Sequence, residues 1–370
     1  MSALNWVEVD LSAIRGNLKR LVELASGAAV MAVVKANAYG HGAVAVAGAA
    51  EAAGAAWLGV ARPGEALELR AAGIRAPILV LGYTPPDLAE QAIRKELTLA
   101  VFDAETAASY AAAARALGGR ARVHAKLDTG MGRLGVAAED GPAFVRGLYE
   151  LEGLEVDGLF THFAASDTAS LASAQAQAAR FDGALQALEA AGLRPRWVHA
   201  ANSAAIWRLP AARYDLVRAG IALYGLDPSP EAPCPPGFSA ALAWKARVVQ
   251  VKTLPPGHGV SYGAEYVTKT DEMVAVVPAG YADGYRRVPK NVNEVLVGGR
   301  RAPVRGRVCM DQVVIGVNDV PGVRVGDEVV LLGQQGNERI SAEDLARRWG
   351  TINYDVTGGI MARVERVDRE

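Results

Sequence analysis

Eight short apolar runs, each of strand length, recur between residues 29 and 225, with Ala-rich stretches between them. They read AVMAVVK, WLGVA, PILVLG, LTLAVF, ARVHAKLD, VDGLFTHF, WVHAANS and DLVRAGIALYG. Continuous apolar runs, unlike alternating ones, belong to strands buried on both faces. Alternation with helical segments makes the sheet parallel and covers it with helices. Eight such units in about 200 residues predict a closed (β/α)8 barrel. An open doubly wound sheet is the alternative, but no G-x-G-x-x-G follows the first run.

The rhythm has clear limits. Ahead of it, NWVEVD alternates like a strand, and Leu11, Ile14, Leu18, Leu21, Val22 and Ala25 then share one helical face. It stops at LDPSPEAPCPPG, residues 226–237, whose five prolines read as a linker. Beyond lie strand-like runs parted by Gly, Pro and Asp turns, and one helix, SAEDLARRWG, with Ser341 and Asp344 forming a capping box. The expected architecture is α/β: a barrel over 1–230, then a mainly β domain over 238–370. The first strand, at about 4–10, is free to pair with the C-terminal domain.

Composition removes several function classes. A formal charge of −1 leaves no electrostatic footprint for nucleic acid or an anionic membrane, and no apolar run is long enough for a span. The densest basic stretch, GGRRAPVRGR, is short and reads as hairpin surface. Two cysteines, Cys234 and Cys309, make no disulfide framework. The N-terminus lacks a signal-peptide pattern, so a cytoplasmic location is expected.

In a barrel, functional groups gather at the C-terminal ends of the strands. Lys35 ends the first strand. KLDTGMGRLG leaves the fifth with Lys126 and Arg133, THF ends the sixth with His162, HAANS ends the seventh with His199, Asn202 and Ser203, and VRAG carries Arg218 and Gly220 in the eighth. These groups are mostly cationic, with few acids beyond Asp128. Converging cations call for an anionic ligand. The loops after strands seven and eight of this fold commonly take phosphate, and a phosphorylated cofactor near a lysine points to a Schiff base.

These residues resemble a known family. AVVKANAYGHG, LDTGMGRLG, THFA, HAANSAA, VRAGIALYG, VSYG, AGYADG and RVCMDQ, in this order over essentially the whole chain, are similar to bacterial alanine racemase, a pyridoxal-phosphate enzyme of fold type III. The resemblance implies a homodimer with shared active sites that interconverts L- and D-alanine and supplies D-alanine for peptidoglycan. It implies that Lys35 forms the internal aldimine with pyridoxal 5'-phosphate and is one of two bases. Tyr262, acting on the partner's cofactor, is the other. Two bases on opposite faces of a planar carbanion are what racemisation needs.

The remaining assignments come from the same resemblance. Arg218 would face the pyridine nitrogen and connect to His162. Tyr39, Ser203, Gly220, Ile221 and Tyr354 match phosphate-binding positions, with Asn202 in the same cofactor shell. Arg133 would touch the phenolic oxygen and the substrate carboxylate, and Met310 would give its backbone N–H to that carboxylate. Lys126 matches a lysine carried as N6-carboxylysine. Tyr281, with Tyr354, resembles the inner constriction of a substrate channel, and Arg286, Arg307, Asp167 and His199 resemble its polar outer layer. No metal is implied. His41 has no role beyond a turn, and Cys309 is as well explained as a small buried residue.

Three other readings stay open at this level. The pocket residues readable here leave room for a racemase of serine or of broad specificity. A decarboxylase of the same architecture would carry a glycine-rich phosphate loop and a different cysteine–aspartate box. A non-catalytic pyridoxal-phosphate carrier would lack the β domain.

Overall fold

The computed structural model of the chain describes residues 4–288 and 292–370. It divides into two compact units. One comprises Ala13–Ala38 and Ala43–Ser239; the other comprises Met1–Ser12, Tyr39–Gly42 and Ala240–Glu370. The proline-rich stretch 226–237 thus belongs to the first unit, which runs past the expected boundary at 230. The first strand belongs to the second unit.

The first unit is a nearly closed parallel barrel. After β1 (Asn5–Asp10) and α1 (Leu11–Ala25) come β2 (Ala29–Val33), β3 (Trp57–Val60), β4 (Ile78–Val80), β5 (Leu97–Val101), β6 (Ala121–Asp128), β7 (Leu154–Phe160), β8 (Trp197–His199) and β9 (Leu216–Ala219). The order around the barrel is β9-β2-β3-β4-β5-β6-β7-β8, parallel throughout. Single bonds approach closure between β8 and β9: Asp215 N–H to Val198 O at 3.0 Å, and Arg218 N–H to Ala201 O at 2.9 Å. The strands are buried along nearly their whole length, as their unbroken apolar runs demand. Around them lie α2 (Ala43–Ala52), α3 (Pro63–Ala71), α4 (Ala89–Arg94), α5 (Ala104–Ala116), α6 (Gly141–Glu150), α7 (Ala172–Ala190) and the short α8 (Ser203–Arg208). Val22 lies exposed, outside the apolar stripe of α1.

The second unit holds a large sheet, a short antiparallel pair (Gly259–Val260 with Tyr266–Val267) and two helices. The strands of the large sheet are β1, β10 (Leu242–Arg247), β11 (Gln250–Leu254), β12 (Glu272–Val277), β13 (Glu294–Val297), β14 (Arg300–Arg305), β15 (Val313–Gly316), β16 (Glu328–Gln335), β17 (Glu338–Ile340) and β18 (Glu365–Arg369). They follow the order β11-β12-β15-β14-β13-β16-β10-β1-β18, with β17 on β16. β1 is antiparallel to β10 and parallel to β18. The basic stretch at 298–307 forms the turn and second strand of the β13–β14 hairpin, where Arg301 pairs with Glu294 and Glu338. α9 (Ala342–Trp349) starts on the expected capping box: Ser341 Oγ accepts from Asp344 N–H, and Ser341 N–H donates back to the Asp344 carboxylate. α10 (Asn353–Gly358) follows.

Candidate active site

The barrel rim is built around Arg218, on β9 and only 4% exposed. Nη1 donates to His199 Nδ1 at 2.8 Å and to His199 O at 3.1 Å. Nη2 donates to Thr161 O at 2.7 Å, Ala200 O at 2.9 Å and His162 Nδ1 at 3.0 Å. The guanidinium is therefore held by the ends of β7 and β8, and its Nε–H is the donor these bonds do not use. Burial pushes its pKa down to about 9, and five acceptors keep it charged at neutral pH.

Lys35 follows β2 and is half-buried. Burial first, then the charges of Arg133 and Arg218, pull its pKa below that of a free lysine, while Glu65 works the other way. A cation that the fold disfavours is an amine readier to be neutral and nucleophilic. Glu65 is an acid that the sequence reading, with few acids beyond Asp128, did not place here. One of its oxygens accepts from Ala36 N–H at 2.7 Å. The other accepts from Ala61 and Arg62 N–H at 2.7 and 3.1 Å, at the start of α3.

The turn after Lys35 differs from a plain Gly-assisted one. Ala36, Asn37, Ala38 and Tyr39 all lie at φ 53°, a left-handed turn made without glycine. Each such residue is disfavoured by about 1–2 kcal/mol, so the turn needs anchors. Glu65 holds its first N–H, Ala38 N–H returns to Val34 O at 2.9 Å, and Asn37 Oδ1 accepts from Ala43 N–H at 2.8 Å. Gly40 is required: at φ +89° a Cβ would stand 2.0 Å from Thr357 O.

Lys126, at the end of β6, is 6% exposed, with Nζ 5.2 Å from the centre of the Phe160 ring. Burial, then Arg218 and Arg133, push its pKa down to about 8. Asp128 does not pair with it directly. Its carboxylate collects the N–H groups of Gly130, Met131 and Gly132 and shapes the loop that carries the exposed Arg133. The backbone of His162 is fixed from α7, where Gln177 Nε2 donates to His162 O at 3.0 Å and to Thr129 Oγ1 at 3.2 Å. Nothing in the Ala-rich sequence ASAQAQAARF marks Gln177 for this, because its partners lie far away along the chain.

After β8, Asn202 caps α8 by accepting from Ala205 N–H at 3.1 Å, and its Oδ1 also accepts from Ser166 Oγ at 2.8 Å. Ser203 Oγ accepts from Gly220 N–H at 3.0 Å and Ala222 N–H at 3.3 Å, spanning Ile221. Asp167 lies in the loop after β7, its carbonyl taking the Ser229 hydroxyl. His199 is placed otherwise than in an outer channel layer. It is fully buried, stacked on Phe160 at 4.8 Å and bonded to Arg218, because its position at the end of a short strand turns it into the barrel.

The second unit carries its own cluster. Tyr262 and Met310 are 67% and 52% exposed and line one open concavity with Ser261, Gly263, Cys309, Asp311 and Gln312. Ser261 Oγ donates to Arg307 O at 2.6 Å and lies 3.1 Å from Cys309 Sγ. Tyr281 N–H donates to Cys309 O at 3.1 Å. Arg286 pairs with Asp355 and Arg307 with Glu265. The Tyr39 and Tyr354 rings tilt together at 6.0 Å, and burial pushes the Tyr39 phenol above its ordinary pKa.

Two family profiles cover the chain: alanine racemase N-terminal domain over residues 9–228, and alanine racemase C-terminal domain over residues 241–368. The chain belongs to the alanine racemase family. It is an enzyme of the racemase class, with the barrel and mainly β domain of that family. The alanine racemase of Symbiobacterium thermophilum is 49% identical over 98% of this chain and 96% of its own length. The solved alanine racemase of Clostridium difficile superposes with a TM-score of 0.94 at 39% identity, over 100% of this chain and 97% of that one. That of Bacillus anthracis, solved with bound L-Ala-P, gives 0.94 at 40% identity, over 100% and 96%. Among the described residues no helix is long and apolar enough to cross a membrane, and no group of His, Cys, Asp and Glu could hold a metal ion.

Proposed function

We propose that this protein racemises alanine with pyridoxal 5'-phosphate, using Lys35 and Tyr262 as its two bases. The observation that carries the reading is Lys35 just past β2, its amine depressed first by burial, then by Arg133 and the fixed cation Arg218. The donor set fits the cofactor. An amine destabilised as a cation suits an aldehyde, and a rim with Lys35, Lys126, Arg133 and Arg218 against Glu65 and Asp128 suits a phosphate ester. Lys35 would hold the aldehyde carbon, Arg218 the ring nitrogen, Arg133 the phenolic oxygen, and Ser203, Gly220 and Ile221 the phosphate, with Tyr39, Tyr354 and Asn202 completing the shell.

When bound, the cofactor supplies an electron-withdrawing ring that acidifies the substrate's α-C–H. The chain supplies the rest. Lys35 exchanges the α-proton on one face and Tyr262, from a second copy of the chain, on the other. His162, on the charged Arg218, faces the task of easing the phenol's proton loss, since a free tyrosine holds its proton to a pKa of about 10. Arg218 keeps its own proton, so it solvates the ring nitrogen without protonating it. That restrains charge delocalisation and favours reprotonation at the α-carbon over transamination. Arg133 and the Met310 N–H hold the carboxylate. Lys126 as a carbamate would orient Arg133. Exposed Tyr262 and Met310 in one concavity support a homodimer. Tyr281, Arg286, Arg307 and Asp167 would line the approach. The product fits supply of D-alanine for peptidoglycan in the cytoplasm.

The test uses the protein loaded with pyridoxal phosphate and a panel of L-amino acids, read by chiral chromatography. Alanine should racemise first among them. Lys35→Ala should lose both the bound-cofactor absorbance and turnover. Tyr262→Phe should keep the absorbance and lose most turnover, with proton exchange from L-alanine affected first. Racemisation retained in both variants would overturn the two-base assignment.

A further inference from the structure

A file of side chains leads from Arg218 down into the barrel. Arginine only donates hydrogen bonds. Its nitrogens lie 2.8 Å from His199 Nδ1 and 3.0 Å from His162 Nδ1, so both of these atoms accept and both rings carry their proton on Nε2. His199 Nε2 lies 2.9 Å from His124 Nδ1 and must donate to it. His124 then carries its own proton on Nε2, 3.9 Å from the Asp157 carboxylate. One cation thereby sets the tautomer of three imidazoles, and the file ends on an anion.

The barrel is shaped for this arrangement. A Cβ on Gly158 would stand 2.4 Å from His124 Nδ1, so β7 omits a side chain where the ring lies. The β6–β7 register shifts between Val123 and His124. Trp57 packs 5.2 Å from His124, and Phe160 stacks on His199 at 4.8 Å with the planes 3° apart. Burial, before any charge, keeps all three imidazoles neutral; burial also works against the Asp157 carboxylate, but His124 first, then Arg122 and Arg196, hold its pKa below the ordinary value.

We propose that His124, backed by Asp157, is a positioning residue for Arg218. It accepts from His199 Nε2–H, so His199 presents Nδ1 to the guanidinium and cannot rotate away. Arg218 in turn keeps the tautomer of His162. The consequence for catalysis rests on the racemase reading above; the order of protons does not.

Neutron diffraction from the full-length holoprotein tests that order directly. The expected result is deuterium on Nε2 of His124, His162 and His199; deuterium on Nδ1 of His199 would overturn the proposal. His124→Phe keeps a planar ring, slightly larger, and removes the acceptor, whereas His124→Gln restores an accepting oxygen. In His124→Phe, kcat should fall about tenfold with little change in KM, and the 15N resonances of His162 should move. His124→Gln should recover most of both. Equal kcat and unmoved His162 resonances in the two variants would overturn the proposal. If His124→Phe does not fold, the wild-type proton positions still decide. Wild-type protein inert toward alanine, with these tautomers intact, would count against the racemase reading and leave the proton order standing.

Discussion

Asn37 shows how a single residue can be required twice. It tolerates the left-handed conformation better than most residues, and its Oδ1 satisfies Ala43 N–H at the start of α2. Asn37→Ala keeps φ 53° without that help and should destabilise the protein by about 1–2 kcal/mol. Denaturant unfolding would show a lower midpoint with an unchanged slope; an unchanged midpoint would remove the anchoring role. Lys126 carries a second prediction. With its pKa pushed down to about 8, a large share of its amine is neutral at slightly alkaline pH and can add carbon dioxide, losing a proton as it becomes an anion. A carbamate signal should appear in 13C spectra after addition of labelled bicarbonate at pH 8 and vanish in Lys126→Ala. Persistence of the signal in that variant would assign it elsewhere. Lys35, Arg218 and His162 could be read from sequence because each stands where an apolar run breaks. Glu65, Gln177 and His124 could not. The first two are polar residues in helical stretches, and the third lies inside a strand. Only partners remote along the chain give them a role.

At the scale of elements, the strands of the barrel were legible because burial on both faces leaves an unbroken apolar run. The left-handed turn was not, since no residue type in Ala36–Tyr39 demands it, and its anchors come from α2 and α3. β1 was legible as an alternating strand free to pair with the C-terminal domain, but the strands it would join were not. Pairing with β10 and β18 answers that, and Glu8 fastens it. Its carboxylate takes Lys245 on β10 at 3.1 Å and Arg369 on β18 at 2.8 Å, with Trp6 Nε1 at 3.1 Å. Burial alone would raise its pKa, but the hydrogen bonds from Arg369, Trp6 and Lys245 outweigh it and hold the carboxyl at about 2. The folded form therefore binds this proton more weakly than the unfolded chain does. The stabilisation is complete above pH 4.5 and is lost as the pH falls towards 2. Glu8→Gln should lower stability at neutral pH and flatten the stability–pH curve within that window. An equally steep curve in the variant would sink the assignment.

The whole molecule holds its two units with different titrating groups. In the barrel, burial first and then the charge of Arg218 keep His162 and His199 well below the ordinary imidazole pKa of 6.5, and burial also lowers His124 despite Asp157. Below about pH 6.5 the unfolded chain takes up protons that the folded barrel refuses, so barrel stability should fall as the pH drops from about 7 to 5. The Glu8 staple of the other unit is untouched there and weakens only between 4.5 and about 2. Acid should thus loosen β2–β9 before the strands around β1. Hydrogen exchange followed by mass spectrometry at pH 7, 5.5 and 3.5, corrected for intrinsic rates, would resolve the order peptide by peptide. Protection should drop first in peptides holding His124, His162 and His199, while those holding β1, β10 and β18 stay protected until the lowest pH. The reverse order would mean that the buried imidazoles do not govern acid sensitivity. Protonation of the same imidazoles would break the acceptors on which Arg218 rests, so turnover should decline over the pH range in which barrel protection is lost.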